Sequence, residues 1–99
     1  MRELRAGIDA VDAELVALLA ERARYIDRAV ALKRDSGLPA RIPARVDEVL
    51  ARVTAQAAAE GFDPALVEAI WRQMIEWSIA REEQTLGPSP DGAGPQGEG

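Results

Sequence analysis

The residues of greatest chemical interest are cations that interrupt an apolar helical pattern. Arg22 stands where that pattern calls for another Leu or Ile. The repeat that it interrupts comprises Leu4, Ile8, Val11, Leu15 and Leu18. A guanidinium keeps its proton, so burying it without a paired anion costs on the order of several kcal/mol. We therefore interpret Arg22 as part of an anion site. The alternative is a pair between Arg22 and a carboxylate, buried between helices.

Helical geometry relates two other cations to Arg22. Lys33 follows by eleven residues, which places it ~20° around the axis and ~16 Å along it, on the same face. Arg22 and Lys33 can therefore contact opposite ends of one small dianion. Arg5 precedes Arg22 by seventeen residues, which is ~100° around and ~25 Å away. Arg5 is expected to reach such a pocket only from the partner subunit of an antiparallel or crossed dimer.

Two further elements contribute polar residues. Arg45 opens a second helix, directly after a loop that can fold back toward Lys33. Ser78 and Glu82 are one turn apart in a third helix and so share a face. Taken singly, Arg5, Lys33 and Arg45 are also compatible with ordinary solvated cations that extend along apolar surface.

The elements that position these residues are three predicted helices, so the fold class is all-α. Long runs of Ala, Leu, Glu and Arg, with hardly any alternating β-branched segment, favour helix throughout. The first helix is predicted from Arg2 to Ser36, the second from Ala44 to Glu60, and the third from Asp63, as N-cap, to Leu86. The ends of the helices are predicted from helix-breaking and capping residues, namely Gly37, Pro39, Gly61, Pro64, Gly87 and Pro88.

Each later helix has a predicted apolar face. On the second it comprises Val46, Val49, Leu50 and Val53. On the third, the residues predicted to face inward are Leu66, Ile70, Trp71, Met74, Trp77, Ser78 and Glu82. We interpret Trp71 and Trp77 as core or dimer anchors rather than as a ligand platform.

The first helix also predicts an oligomer. Its length is roughly 50 Å, whereas a compact chain of this size has a radius of gyration of ~13 Å. Because its apolar stripe continues to both ends, part of it needs cover from another chain, and we expect a homodimer. Residues 1–86 are predicted to form one helical domain. Residues 87–99, rich in Gly and Pro, are predicted to be a disordered tail.

Composition excludes several classes of function. The formal net charge is −5 and no basic cluster exceeds a pair, so no nucleic-acid partner is expected. No apolar run is long enough for a membrane span and no signal region is visible, so the expected location is cytoplasmic. With no Cys and no His, the sequence offers no thiolate nucleophile, no histidine base and no metal site of the usual kind. We expect neither a metal nor a cofactor.

The first helix resembles the opening helix of the all-helical (AroQ) chorismate mutase family. The resemblance rests on the segment LRAGIDAVDAELVALLAERARYIDRAVALK, residues 4–33. The family pattern there is Leu-Arg, Ile-Asp-x-(Leu/Ile/Val)-Asp, a Leu-rich run, Arg and finally Lys. The Arg45 start of the second helix and the segment from Asp63 to Gln84 match the same family more loosely, so about residues 2–86 are covered.

The resemblance implies an intertwined three-helix homodimer with two pockets for a small dicarboxylate, in aromatic amino acid biosynthesis by the shikimate pathway. Arg22 and the partner's Arg5 would bind the two carboxylates. Lys33 would donate to the ether oxygen as its bond to carbon breaks. Arg45 would bind the substrate and also take part in catalysis, and Ser78 would complete the binding site. The implied reaction is the pericyclic rearrangement of chorismate to prephenate, which needs no nucleophile, metal or cofactor.

Two departures from the family pattern bear on the substrate. Many mutases carry acids, which hold the ring hydroxyl of chorismate, where this chain has Ile42 and Val46. The related isochorismate pyruvate lyases have an Ile-Pro loop and a Val after the Arg, so the segment IPARV favours lyase activity. Glu82 stands where the family usually has a Gln that donates to the ether oxygen. Glu82 must be protonated to do the same, which nearby cations oppose and burial favours.

Three interpretations of the function are therefore kept. The first is a chorismate mutase, and the second is a lyase that converts isochorismate to salicylate and pyruvate. The third is a non-catalytic helical dimer that binds a metabolite or serves as a regulatory subunit. The sequence does not determine which of the two substrates is used, and it indicates neither an effector nor a role for the tail.

Overall fold

Three α-helices make up the described part of the chain in a computed structural model, which covers residues 1–87. They are α1 (Arg2–Ser36), α2 (Pro43–Ala59) and α3 (Pro64–Leu86), and no strand occurs in the described residues. The predicted bounds of the first and third helices are confirmed, and α2 begins and ends one residue earlier than predicted. The predicted disorder of the tail concerns residues that, beyond Gly87, lie outside the described part.

Local signals explain where the helices end. Gly37 adopts φ 75°, and its N–H donates to the carbonyl of Lys33 at the end of α1. A left-handed conformation is cheap only for Gly, so α1 stops there. Pro43 occupies the first turn of α2, where its missing N–H costs nothing. At the start of α3 the Asp63 side chain accepts from the backbone N–H groups of Ala65 and Leu66.

The core lies between α2, α3 and the loop that joins α1 to α2. Both α1 and α2 pack against α3, whereas α1 and α2 do not pack directly against each other within the described residues. The buried core residues are Ala40, Val49, Leu50, Ile75 and Ile79, with Val46, Val53, Trp71 and Leu86 packed against them. The predicted apolar face of α2 is therefore confirmed.

The predicted inward face of α3 is partly wrong. Leu66, Ile70 and Trp77 are exposed in the single chain, and the buried apolar side chains are instead Val67, Ile75 and Ile79. Apolar residues occur on two faces of α3, so periodicity alone could not tell which face meets α1 and α2. The polar members of the prediction hold, because Ser78 and Glu82 are both buried.

The N-terminal half of α1 projects beyond the rest of the molecule. The molecule measures 57 × 23 × 22 Å, and every residue of 1–20 is exposed. Leu4, Ile8, Val11, Leu15 and Leu18 are between 53% and 61% exposed, although they form a continuous apolar stripe. No helix in the described residues has the length and apolar character that a membrane span requires.

Candidate active site

A cavity of about 320 Å³ opens among the three helices. That volume is at the lower end of the range for small-ligand pockets, roughly 300–1,000 Å³. Seven of the eight predicted site residues line it, and Arg5 does not. The seven are Arg22, Lys33, Ile42, Arg45, Val46, Ser78 and Glu82. The fold therefore brings together residues of all three helices that lie up to 60 positions apart in the sequence.

Lys33 and Glu82 form an ion pair inside the cavity. Lys33 Nζ donates to Glu82 Oε1 at 2.8 Å and to the backbone carbonyl oxygen of Ala40 at 3.0 Å. Glu82 is only 4% exposed, so its carboxylate depends on this partner for compensation. A lysine ammonium has three N–H donors. The third is left for a ligand in the cavity.

Arg22 has no such compensation. Its Nη1 lies 3.4 Å from Ser78 Oγ, a long hydrogen bond, and within residues 1–87 no carboxylate pairs with it. Burial lowers the pKa of the Arg22 guanidinium, and the positive charge of Arg45 lowers it further. The group still keeps its charge at neutral pH. The alternative of an intrachain Arg22–carboxylate pair is therefore not found in the described residues.

Arg45 stands at the exposed edge of the cavity. Its Nη1 donates to Glu48 Oε1 at 2.8 Å, one turn further along α2. This hydrogen bond lowers the pKa of the Glu48 carboxyl, and the charge of Arg45 adds to the effect. Both side chains are more than half exposed, so the pair is worth little energy and can rearrange when an anion arrives.

The lining combines positive charge with an apolar wall. Three cations and one carboxylate give the cavity a net charge of +2 with Glu82 ionised. The apolar part of the lining includes Ile26, Ile42, Val46, Val49, Ile75 and Ile79. Such a lining suits a small dianion that carries a carbon ring. No group of three or more His, Cys, Asp or Glu side chains suited to a metal occurs within residues 1–87.

A second, apolar groove adjoins the cavity. It shares Arg22 and Ser78 with the cavity, and its other lining residues are Val16, Leu19, Ala20, Ala23, Met74 and Trp77. Arg5 lies in the exposed first turns of α1, away from both. The groove therefore leads from the open side of the site to the uncovered part of α1.

Some contacts at the site were not predicted from the sequence. The Ala40 carbonyl as an acceptor for Lys33 and the Glu48 partner of Arg45 are two of them. A third is the pairing of Arg41, in the loop, with Glu76 of α3. The contact with Glu48 could have been predicted, because an acid three residues after an Arg on a helix lies beside that Arg. The other two depend on how the loop folds over α3, which no local pattern encodes.

The fold and the cavity define an all-helical protein with a pocket of net positive charge. Residues 4–83 match the family model described as chorismate mutase type II. Because the match covers most of the chain, the protein belongs to the type II chorismate mutase family. The resemblance noted in the sequence is thereby confirmed. No solved structure gives a significant match.

Curated relatives come from more than one kind of protein. The chain is 31% identical over 84 residues to a T-protein of Haemophilus influenzae, which covers 85% of this chain and 22% of that protein. It is 35% identical over 79 residues to a T-protein of Enterobacter agglomerans, covering 80% of this chain and 21% of that protein. The chain thus spans about a fifth of the length of these T-proteins.

A third relative is similar in length to this chain. The chain is 31% identical over 83 residues to an isochorismate pyruvate lyase of Pseudomonas aeruginosa. The alignment covers 83% of this chain and 80% of the lyase. The family is therefore established, while the relatives differ in the activity that their names state.

Proposed function

We propose that the protein is a chorismate mutase that rearranges chorismate to prephenate in the cationic cavity. The observation that carries the proposal is that two cations with donors to spare line one cavity of net charge +2. Arg22 has no carboxylate partner within residues 1–87, and Lys33 keeps one N–H beyond those given to Glu82 and Ala40. Chorismate carries two carboxylates and one ether oxygen. Its charge and its hydrogen-bonding needs match that inventory.

The proposed mechanism uses orientation and charge stabilisation. In the rearrangement the ether C–O bond breaks while a C–C bond forms within the same molecule, so no atom leaves and no base is required. Arg22 binds one carboxylate and holds the side chain over the ring. The third N–H of Lys33 donates to the ether oxygen, where negative charge develops. Together such effects supply on the order of 8 kcal/mol, about 10⁶-fold in rate.

Glu82 sets the charge beside Lys33 in this mechanism. As a carboxylate it accepts from Lys33, and it offers no hydrogen bond to a ligand. A neutral amide in its place would leave the Lys33 charge uncompensated and could donate to the ether oxygen. We propose that a neutral donor at position 82 is more active than the carboxylate.

We further propose that the functional unit is a homodimer. The uncovered stripe from Leu4 to Leu18 is ~21 Å long, and the apolar groove beside the cavity is open. A second copy supplies both a stripe and a groove, so two copies can cover each other symmetrically. In that arrangement Arg5 of each subunit approaches the cavity of its partner and supplies the second carboxylate contact.

Isochorismate pyruvate lyase activity is the second candidate, and one feature of the cavity favours it. Ile42 and Val46 line the wall where an acid would have to stand to hold the ring hydroxyl of chorismate. An apolar side chain cannot accept that hydrogen bond. The named lyase of Pseudomonas aeruginosa also matches this chain over most of both lengths.

Incubation of the purified protein with chorismate and, separately, with isochorismate tests these proposals. Prephenate from chorismate supports the mutase. Salicylate and pyruvate from isochorismate support the lyase instead. No product from either substrate, with dicarboxylate binding retained in calorimetry, would indicate the third interpretation, a non-catalytic binding dimer.

A further inference from the structure

The loop of residues 37–42 joins the two helices that carry the three cations of the cavity. Because α1 and α2 do not pack directly against each other, their relative position depends on α3 and on this loop. Lys33 and Arg22 come from α1, whereas Arg45 and Val46 come from α2. The distance between these two sets of residues therefore depends on how α1 and α2 each pack against α3 and on the contacts that the loop makes with α3.

Arg41, in this loop, makes a bidentate contact with Glu76 of α3. Its Nη1 donates to Glu76 Oε2 at 2.9 Å and its Nη2 donates to Glu76 Oε1 at 2.6 Å. The planar fork of a guanidinium fixes both distance and orientation when it binds a carboxylate in this way. The hydrogen bonds lower the pKa of Glu76 and raise that of Arg41. The loop is therefore held to α3 in one defined geometry.

The residues on either side of Arg41 build the cavity. The Ala40 carbonyl accepts from Lys33 Nζ at 3.0 Å. The Ile42 carbonyl accepts from the backbone N–H of Arg45 at 2.9 Å and from that of Val46 at 3.1 Å. The backbone around Arg41 thus places the acceptor that orients Lys33 and also starts the turn that carries Arg45.

We propose that the Arg41–Glu76 pair is a positioning device that fixes the loop and thereby the spacing between Lys33 and Arg45. Neither Arg41 nor Glu76 lines the cavity, so both act through other residues. Surface pairs contribute little to global stability, and the effect expected from losing this one is a displaced site rather than an unfolded chain. The inference rests on the proposed function only in that the site is catalytic.

Three variants test the proposal: Arg41→Gln, Glu76→Gln and the double variant. Asp27→Asn is the matched control. Asp27 accepts two hydrogen bonds from Arg81, at 2.7 and 3.0 Å, between α1 and α3, and it does not line the cavity. The control removes a similar surface pair with no contact to the loop.

Hydrogen exchange measured without any substrate gives the first readout. Each single variant should speed exchange at the amides of Leu38, Arg45 and Val46 several-fold. The control should leave these amides unchanged. Unaltered exchange in both single variants, or an equal change in the control, would overturn the proposal.

Kinetics give the second readout, with whichever of chorismate and isochorismate the unmutated protein converts. Each single variant should lose about tenfold in kcat/KM, since small misplacements of catalytic groups are costly. The double variant should lose no more than either single one, because the two residues act as a unit. Additive losses would contradict the positioning role. If the unmutated protein converts neither substrate, the proposed function fails, while hydrogen exchange still decides the role of the pair.

Discussion

Lys33 and Glu82 meet at 2.8 Å inside the cavity, although 49 residues separate them in the sequence. The pair joins a cation near the end of α1 to a carboxylate of α3 that is almost completely buried. It places a negative charge beside the ammonium that is proposed to stabilise the breaking bond. The negative charge of Glu82 therefore governs how much of the Lys33 charge a ligand experiences.

The charge at position 82 should affect the rate through this relationship. The Glu82 carboxylate neutralises part of the Lys33 charge and offers no hydrogen bond to a ligand. Glu82→Gln removes the negative charge, keeps a side chain of similar shape and supplies a neutral donor, so kcat should rise by about tenfold. Steady-state assays, with correct folding checked by circular dichroism, provide the measurement. An unchanged or lower kcat in Glu82→Gln would remove the proposed role of Glu82.

Helix ends were predictable from the sequence because they depend on neighbours in the chain. Gly37, Asp63 and Gly87 end or start helices through their own backbone or side-chain properties. The angular relation of Arg22 to Lys33 was predictable for the same reason, since one helix carries both. Local rules also put Ser78 and Glu82 side by side on α3, and both prove buried.

What depends on packing between helices was not predictable. The choice between Trp77 and Ile75 as an inward residue required knowing how α3 is rotated against α1 and α2. The ion pair of Lys33 with Glu82 and the contact of Arg41 with Glu76 join distant segments, for which the sequence has no periodic signal. That a second chain covers Leu4 to Leu18 is still a prediction.

Substrate preference should respond to a carboxylate in the apolar wall. Val46→Glu places an acceptor where the ring hydroxyl of chorismate is expected. The ratio of kcat/KM for chorismate to that for isochorismate should rise by about tenfold, the value of one added hydrogen bond to a bound substrate. Ala44→Glu adds the same charge on the same turn of α2 without lining the cavity, and it should leave the ratio unchanged. An unchanged ratio in Val46→Glu would argue against this assignment of the wall.

Lowering the pH should reduce the stability of the fold through protonation of Glu76. Its pKa is lowered in the folded state by the hydrogen bonds from Arg41. A carboxyl with a lowered folded-state pKa stabilises the fold above its unfolded pKa, about 4.3, and the stabilisation is lost as the pH falls through the folded value. Glu76→Gln should therefore be slightly less stable than the unmutated protein at pH 7, and the difference should narrow as the pH falls below the unfolded value. Urea unfolding over that range measures the difference in the free energy of unfolding, and a difference that does not change with pH would contradict the linkage.

Sharing of the site between subunits can be tested by mixing two inactive variants. If Arg5 acts in the partner's cavity, a mixed dimer of Arg5→Ala and Arg22→Ala contains one intact site. Random reassembly makes about half of the dimers mixed, so about one quarter of the original activity should return. Each variant refolded alone is the control. No recovery, in a sample shown by mass spectrometry to contain mixed dimers, would mean that Arg5 does not act across the interface.

The most direct test of the central claim compares turnover in Lys33→Ala and Arg34→Ala. Lys33 lines the cavity and Arg34, its neighbour, lies outside it in the exposed part of α1. Loss of the donor to the breaking bond should lower kcat by at least about 100-fold in Lys33→Ala. Arg34→Ala should keep the rate of the unmutated protein. Near-normal turnover in Lys33→Ala would contradict the assignment of this cavity as the catalytic site.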